Sequence, residues 1–382
     1  MASFLLFFFQ IGLALYTILI LGLILIYLIK NLIYREAIVS LPEKELHEKQ
    51  LAIVFYNFAN EKEIVARIQE LQNQNYFNYT AYFFIKTPII ETNNLKNIKI
   101  IRPIQSRLTG LNFLEIVKPY IEKTPDAVIA IKSDSCISKD YLNCMNLNLM
   151  KGKKVVQSQV IIDGNNESLG VYQKFATEVL NLIDREAPNA LGISAAIWEQ
   201  GFMMQYQIFK EINFQLIAGN DKLLQAEIIS RSIKIDYDAT ARILGKTLKK
   251  EHYKIKKQLH LKMYFHNIQL GFKLLKEGIK HPNIDKIVFG MNYLRPPVYI
   301  ALASSLLLFF LNVLQDEKTS TFNLIAGFGI LSCILVLLKG QTFINIVNQI
   351  NNSNNSFRLN QKRHDHKGSF NYADQNLHKN LG

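Results

Sequence analysis

The chain has 382 residues, of which 49% are hydrophobic, and its formal net charge at pH 7 is +13. This hydrophobic fraction is high for a purely soluble protein and predicts membrane segments beside a folded domain. The positive charge favours an anionic membrane surface as partner, and the absence of a recognised nucleic-acid motif argues against nucleic acid. Cys136, Cys144 and Cys333 form no C-x-x-C pair or metal-ligand spacing, so we expect reduced thiols.

The first predicted element is an uncharged apolar run from Ala2 to Ile29. It exceeds the roughly 20 residues that a helix needs to cross a bilayer. No Lys or Arg precedes it, and it is longer than the apolar region of a secretory signal peptide. We therefore predict a retained transmembrane anchor over residues 1–30.

Strand-like and helix-like segments alternate through residues 48–245, the predicted cytoplasmic domain. Strands are predicted at residues 51–58, 79–86, 97–104, 127–131 and 153–162, with helices at 61–74, 111–123 and about 139–150. This alternation favours an α/β sandwich around a mostly parallel sheet. In such sheets ligands bind beyond the carboxyl ends of the strands. Asp134 follows the strand "AVIAI" at such an end.

The second half of this domain has a more helical pattern. Helices are predicted over residues 171–187, 191–204 and 220–232, and a strand over 233–239. Residues 246–292 are predicted to form basic helices. In "YFHNIQLGFKLLKEGIK" (264–280), Phe265, Ile268, Phe272 and Leu275 recur at about helical spacing. One interpretation places this segment in the membrane interface; the other is a solvated basic face packed on the domain.

Two further uncharged runs, Pro296–Leu314 and Phe322–Leu338, predict a transmembrane hairpin over residues 296–338. Basic residues flank the spans on the side of the central region, since Lys30, Arg35 and Arg295 lie there. By the positive-inside rule the central region and the tail are cytoplasmic. The chain is thus predicted to be a multi-pass protein of the cytoplasmic (inner) membrane, with a disordered polar tail at 352–382.

Several short motifs follow one another along this domain. They are Asn60 and Glu61 after the first strand, Lys86 after the second, Lys132-Ser133-Asp134 after "AVIAI", Leu191-Gly192-Ile193-Ser194 with Gly201, Asn220-Asp221, and Gln258. In order and spacing they resemble the membrane-bound glycosyltransferases of family 2, the nucleotide-sugar-dependent group that includes cellulose-synthase-like enzymes. The resemblance covers residues 48 to about 312.

The resemblance implies a GT-A-like nucleotide-sugar transferase sandwich with one N-terminal and two C-terminal transmembrane helices. It implies inverting transfer of a sugar from a nucleotide-sugar donor to a glycan or lipid-linked acceptor, with membrane lipids and a glycan-synthesis subunit as partners. It also implies site roles: Asp221 as general base; Asn60, Glu61, Lys86, Lys132 and Asp134 at the nucleotide; Gly201, Gln258 and Trp198 at the acceptor and diphosphate; and Mg²⁺ or Mn²⁺ on Asp134.

The chain departs from the family pattern at three places. Lys132 stands at the first acid of the metal-binding D-x-D motif, Lys86 stands at another nucleotide-binding acid, and only Gln258 remains of Q-x-x-R-W. Two hypotheses follow from the departures. Either lysines neutralise the donor diphosphate in place of a metal, or the chain is a catalytically inactive partner or scaffold subunit of a glycan-assembly complex.

Simpler interpretations also exist for single residues and for the whole chain. Asp134 and Asp221 would each serve only as a helix cap, and Trp198 only as a core side chain. An unrelated membrane protein is the third hypothesis for the chain, and it requires that the central region not be an α/β sandwich.

Overall fold

The structure is a computed structural model. It describes residues 22, 26–27, 47–56, 61–84, 97–101, 110–121, 124–163, 168–217, 220–246 and 267–294, all within one compact unit, Gly22–Pro296. The predicted hairpin and tail lie outside the described residues, as do nearly all of the predicted anchor and the basic segment 247–266. Among the described residues, no helix combines the length and the apolarity needed to cross a membrane.

Within the described residues, eight strands form one sheet. They are β1 Leu51–Tyr56, β2 Tyr79–Phe84, β3 Ile98–Ile101, β4 Ala127–Lys132, β5 Ser135–Ile137, β6 Val155–Asp163, β7 Gly201–Gln205 and β8 Ile235–Lys246. The named helices are α1 Glu61–Gln72, α2 Phe113–Val117, α3 Tyr141–Met150, α4 Ser168–Asn181, α5 Ala187–Ala190, α6 Tyr206–Glu211, α7 Phe214–Ile217, α8 Asp221–Ser230 and α9 Ile284–Leu294. Residues 267–280 are also helical.

The strand order is β3-β2-β1-β4-β7-β6-β8-β5. Strands β3, β2, β1 and β4 are adjacent and mutually parallel, and β6 is parallel to β8. Strand β7 runs antiparallel to both β4 and β6, and β5 antiparallel to β8. The α/β prediction is confirmed. The sheet is mostly parallel, since six of the eight described strands run in one direction and only β5 and β7 run in the other. Strand β7 begins beside the carboxyl end of β4, where Gly201 is in register with Ile131, and it therefore runs in the opposite direction.

The central strands β1 and β4 are buried on both faces, which explains their unbroken apolar sequences. Apolar clusters cover each face of the sheet. Helix α1 contributes Ile64, Ile68 and Leu71 to one cluster, whereas Val65 is 42% exposed. Val65 follows Ile64 directly, which places it on a different side of the helix, facing away from the sheet.

Two predicted helices differ in the structure. Residues 111–123 contain only the short helix α2 between two 3₁₀ turns, Gly110–Asn112 and Lys118–Tyr120. Pro119 lacks the N–H that a longer helix would need there. Residues 191–204 are not helical at all: an extended segment leads into β7. The strand predicted at 233–239 is the longer β8.

Candidate functional site

The carboxyl ends of β1 and β4 lie side by side, with Tyr56 in register with Lys132. Past these ends, the Ser133 N–H donates to the Tyr56 carbonyl (2.8 Å) and the Lys132 N–H donates to the Gln200 carbonyl (3.1 Å). The turn that carries Lys132 and Asp134 is therefore held between β1 and the residue that precedes β7.

Lys132 lies between two carboxylates. Its Nζ is 3.1 Å from Asp134 Oδ2 and 3.8 Å from Glu199 Oε1, and its side chain is 17% exposed. The Ser135 hydroxyl donates to the other oxygen of Asp134 (3.3 Å). Burial lowers the pKa of Lys132, but Asp134 and Glu199 raise it, and the net shift is upward. Lys132 is therefore a fixed positive charge at physiological pH.

The hydroxyl of Tyr56 marks the centre of the site. It is buried and donates to the Glu199 carbonyl. Burial raises the pKa of Tyr56 well above its usual value, and the carboxylates of Glu199, Asp134 and Asp221 raise it further. Three carboxylates from different parts of the chain thus lie within electrostatic range of one hydroxyl. The fold brings Lys132, Asp134 and Glu199 together, and Asp221 lies within electrostatic range of the Tyr56 hydroxyl.

Asp221 is the first residue of α8, and it does not cap that helix. The cap is Asn220, whose Oδ1 accepts from the Lys222 N–H (3.0 Å). The helix-cap interpretation of Asp134 is also wrong, since β5 follows it and the helix beyond β5 begins only after Asp140. Both carboxylates are partly exposed. They are therefore accessible to a ligand at this edge of the sheet.

The segment before β7, residues 194–200, is called the site loop here. Side chains from several elements bond to its backbone. Three of its N–H groups donate to side-chain oxygens: Ser194 to Asp285 (2.8 Å), Ile197 to Gln225 (3.3 Å) and Trp198 to Gln157 (2.8 Å). The Ala196 carbonyl accepts from Arg185 Nε (3.1 Å). These bonds replace the backbone bonds of a helix, which is why the helix predicted here does not form.

Trp198 lies on a buried cation. The guanidinium of Arg185, which is 0% exposed, is 3.7 Å from the centre of the indole ring. Burial lowers the pKa of Arg185 to about 10. Trp198 itself is only partly buried, so part of its side chain faces solvent. The site loop therefore presents a supported aromatic ring beside Glu199.

Gly201 opens β7, where it is in register with Ile131. A Cβ at Gly201 would lie 2.0 Å from Ile243 Cδ1, so even alanine would displace that side chain. We expect Gly201→Ala to lower the free energy of unfolding by roughly 1–3 kcal/mol through overpacking. Ile243→Val removes the clashing methyl group. It should therefore lower the free energy of unfolding less in the Gly201→Ala background than in the wild type. Urea unfolding of all four proteins measures the difference, and strictly additive effects would contradict the clash.

The described residues do not form a Mg²⁺ or Mn²⁺ site. Within the described part of the chain, no group of three or more His, Cys, Asp and Glu side chains is arranged to hold a metal ion. The Asp134 carboxylate is already bound by Lys132 and Ser135, and Lys132 places an ammonium where the family resemblance implies an acid.

The remaining residues implied by the resemblance cannot be placed in this site. Asn60, Lys86 and Gln258 lie outside the described residues, and Glu61 begins α1 without a described side chain. Conversely, sequence reasoning missed Tyr56, Glu199, Arg185 and Gln157. Of these only Glu199 left a sequence signal, as a charged residue directly before the apolar "GFMM" segment.

No protein-family model matches the sequence, and no curated protein matches it. Among solved structures, the chain is similar to a mannosyltransferase from Pyrobaculum calidifontis in complex with GDP-Man and Mn²⁺, at a TM-score of 0.48 and 9% identity, over 86% of this chain and 98% of that one. It is also similar to GalNAc-T7 with UDP, GalNAc and Mn²⁺, at a TM-score of 0.37 and 9% identity, over 53% of this chain and 44% of that one. We therefore base the function on the chain's own residues.

Proposed function

We propose that the protein is a membrane-bound glycosyltransferase, which transfers a sugar from a nucleotide-sugar donor to a glycan or lipid-linked acceptor with inversion. The supporting observation is the cluster of Lys132, Asp134 and Glu199 beside Tyr56 at the carboxyl ends of β1 and β4, with Asp221 within electrostatic range of the Tyr56 hydroxyl. Ligands of open α/β sheets bind at this kind of edge.

In this proposal Lys132 faces the donor diphosphate. A preorganised ammonium in a partly buried site stabilises negative charge as it develops on a leaving group. Its two carboxylate neighbours hold the side chain in one position before the donor arrives. They also leave the described cluster with one ammonium against three carboxylates. Further positive charge is needed at the diphosphate, and we assign it to Lys86, which the family resemblance implies at the nucleotide.

Asp221 is the proposed general base. It would take the proton of an acceptor hydroxyl as that oxygen bonds to the anomeric carbon. The bond between the anomeric carbon and the diphosphate breaks at the same time, so the nucleoside diphosphate carries away the electron pair. Trp198 and Gly201 lie on the acceptor side, where the exposed part of the indole ring would stack on a sugar.

The membrane segments complete the proposal. The N-terminal anchor and the C-terminal hairpin would hold the domain on the cytoplasmic face of the inner membrane, close to lipid-linked acceptors. The net charge of +13 supports this placement, because basic segments gain about 1 kcal/mol per Lys or Arg near an anionic leaflet.

The first experiment is a titration of the detergent-solubilised full chain with UDP and GDP, with Mn²⁺ and with EDTA. Trp198 is the only tryptophan in the chain, so its fluorescence reports on the site directly. We expect one of the nucleotides to change the emission with equal affinity in Mn²⁺ and in EDTA. If neither nucleotide binds under either condition, the transferase proposal fails.

Asp221→Asn separates binding from chemistry. Because Asp221 acts on the acceptor, the variant should keep its nucleotide affinity. It should also release UDP or GDP from the matching nucleotide sugar at least about 100-fold more slowly, which is the usual loss when a general base is removed. An equal loss of affinity and rate would instead assign Asp221 to the nucleotide.

One observation favours a second candidate, the inactive partner subunit. Lys132 is already neutralised by Asp134 and Glu199, which is the arrangement expected of a structural ion pair. The nucleotide titration decides between the two, since a scaffold subunit binds no nucleotide at this edge.

A further inference from the structure

The two C-terminal helices of the described chain pack through glycines. A Cβ at Gly271 would lie 2.9 Å from the Gly290 carbonyl, and a Cβ at Gly278 would lie 2.9 Å from Ile287 Cγ1. Backbones this close admit no larger residue. The helical residues 267–280 therefore turn Gly271, Leu274 and Gly278 towards α9.

This glycine contact decides which side chains face outward. The spacing of residues 264–280 had predicted that Phe272 shares an apolar face with Leu275. In the structure Phe272 is 61% exposed, because the glycines one step round the helix take the buried position. Ile279, two turns further along the same line, is 70% exposed, and Ile284 at the start of α9 is 68% exposed.

Lysines surround these apolar side chains. Lys273, Lys276 and Lys280 are all exposed, and they lie beside Phe272 and Ile279 at helical spacing. We call the set of Phe272, Lys273, Lys276, Ile279 and Lys280 the outer face. Its composition, bulky apolar groups among positive charges, is that of a helix lying in the boundary between lipid headgroups and acyl chains.

The helical pair is bound to the domain next to the site. Asp285 accepts from both the N–H and the hydroxyl of Ser194 (2.8 and 2.7 Å), at the start of the site loop. The Tyr293 hydroxyl donates to the Lys222 carbonyl (2.8 Å), one residue after Asp221. Whatever holds the outer face therefore also sets the position of the site loop and of α8.

We propose that the outer face lies on an anionic lipid surface, with Phe272 and Ile279 at the headgroup boundary and the three lysines on phosphate groups. Charge complementarity supports this partner. The chain supports it as well, since the apolar run Pro296–Leu314 begins two residues after α9. The consequence is that the membrane surface orients the site loop and Asp221. The lipid contact itself does not depend on catalysis, so its test is independent of the result of the nucleotide titration.

Depth-dependent quenching tests the proposal on the full chain. The native cysteines are replaced by serine, and an environment-sensitive fluorophore is attached at Phe272→Cys, Ile279→Cys or Phe77→Cys. Phe77, which is 73% exposed and precedes β2, is the matched control. The protein is reconstituted in vesicles of phosphatidylcholine with phosphatidylserine, with spin-labelled lipids as quenchers.

We expect lipid quenching at positions 272 and 279 and none at 77, where aqueous iodide should quench instead. Equal iodide quenching at all three positions would overturn the proposal. Protection from both quenchers at 272 and 279 would overturn it too, because a protein partner or a second copy would then cover the face.

Charge reversal tests the anionic part. The triple variant Lys273→Glu, Lys276→Glu, Lys280→Glu should lose about half or more of the lipid quenching at position 272. Pure phosphatidylcholine vesicles should reduce the quenching of the wild type in the same way. The matched control reverses the exposed lysines Lys139, Lys151 and Lys210. If quenching is unchanged by both treatments, the anionic surface is not the partner.

Discussion

Lys132→Asp is expected to make nucleotide binding depend on Mn²⁺. In the wild type the Lys132 ammonium lies 3.1 Å from Asp134 and 3.8 Å from Glu199, where it supplies the positive charge of the site. The substitution removes that charge and frees both carboxylates. It also adds a third carboxylate, at the position two residues before Asp134. Clustered carboxylate oxygens are the ligands that Mn²⁺ and Mg²⁺ prefer, and repulsion among them is relieved when a cation binds.

Fluorescence titration with UDP and GDP measures the effect. We expect wild-type affinity to be equal in Mn²⁺ and in EDTA, and Lys132→Ala to lose about tenfold or more under both conditions, as expected when a charged hydrogen bond to phosphate is removed. Lys132→Asp should bind only with Mn²⁺ present. Lys139→Asp, at an exposed lysine in the same segment, is the control. Binding by the wild type that already requires Mn²⁺ would refute the role of Lys132.

The pH dependence provides an independent check on Lys132. The net effect of its surroundings raises its pKa above the ordinary lysine value, so it remains protonated throughout the neutral range. Its contribution to nucleotide affinity should therefore be constant from about pH 6 to about pH 9. A loss of the difference between the wild type and Lys132→Ala within that range would show that Lys132 is not the group that binds the phosphates.

Gln157→Leu is expected to disturb the site, whereas Gln74→Leu is expected to affect stability alone. The buried amide of Gln157 accepts from the Trp198 N–H (2.8 Å) and donates to the Gly201 carbonyl (3.0 Å). It thus joins the two ends of the turn that carries Glu199. Gln74 is also buried and makes an equivalent pair of bonds, to the Leu142 N–H (3.2 Å) and the Ser138 carbonyl (2.8 Å), away from the site.

In both substitutions the leucine side chain has a volume close to that of glutamine but makes no hydrogen bonds. The buried backbone groups that bonded to the amide are therefore left unpaired. Each substitution should lower the free energy of unfolding by roughly 1–3 kcal/mol per unpaired group. Only Gln157→Leu should also shift the Trp198 emission and weaken nucleotide binding, by about tenfold. Urea unfolding and fluorescence titration of the two variants give both quantities. Equal effects on nucleotide affinity would mean that Gln157 acts only through stability.

The sequence by itself determined the α/β class and most of the parallel strands. Strands β1 and β4 were predictable because a strand buried on both faces is an unbroken apolar run, and the buried stripe of α1 because Ile64, Ile68 and Leu71 follow the helical repeat. The placement of Lys132 at the end of β4, and of Asp134 two residues beyond it, followed from the same run. These features depend on neighbours in sequence, which a pattern records.

Only the tertiary structure decided the rest of the site. The site loop is bonded by Arg185, Gln157, Gln225 and Asp285, residues 11 to 91 positions away in the chain, and no local pattern shows such bonds. Its local sequence resembles a helix, and the long-range bonds override that preference. Glu199 reaches Lys132 only because β7 pairs antiparallel with β4, and Phe272 is exposed only because glycines take the contact with α9. These conformations are stabilised by contacts with residues distant in sequence, so the conformations can be seen only in the folded chain.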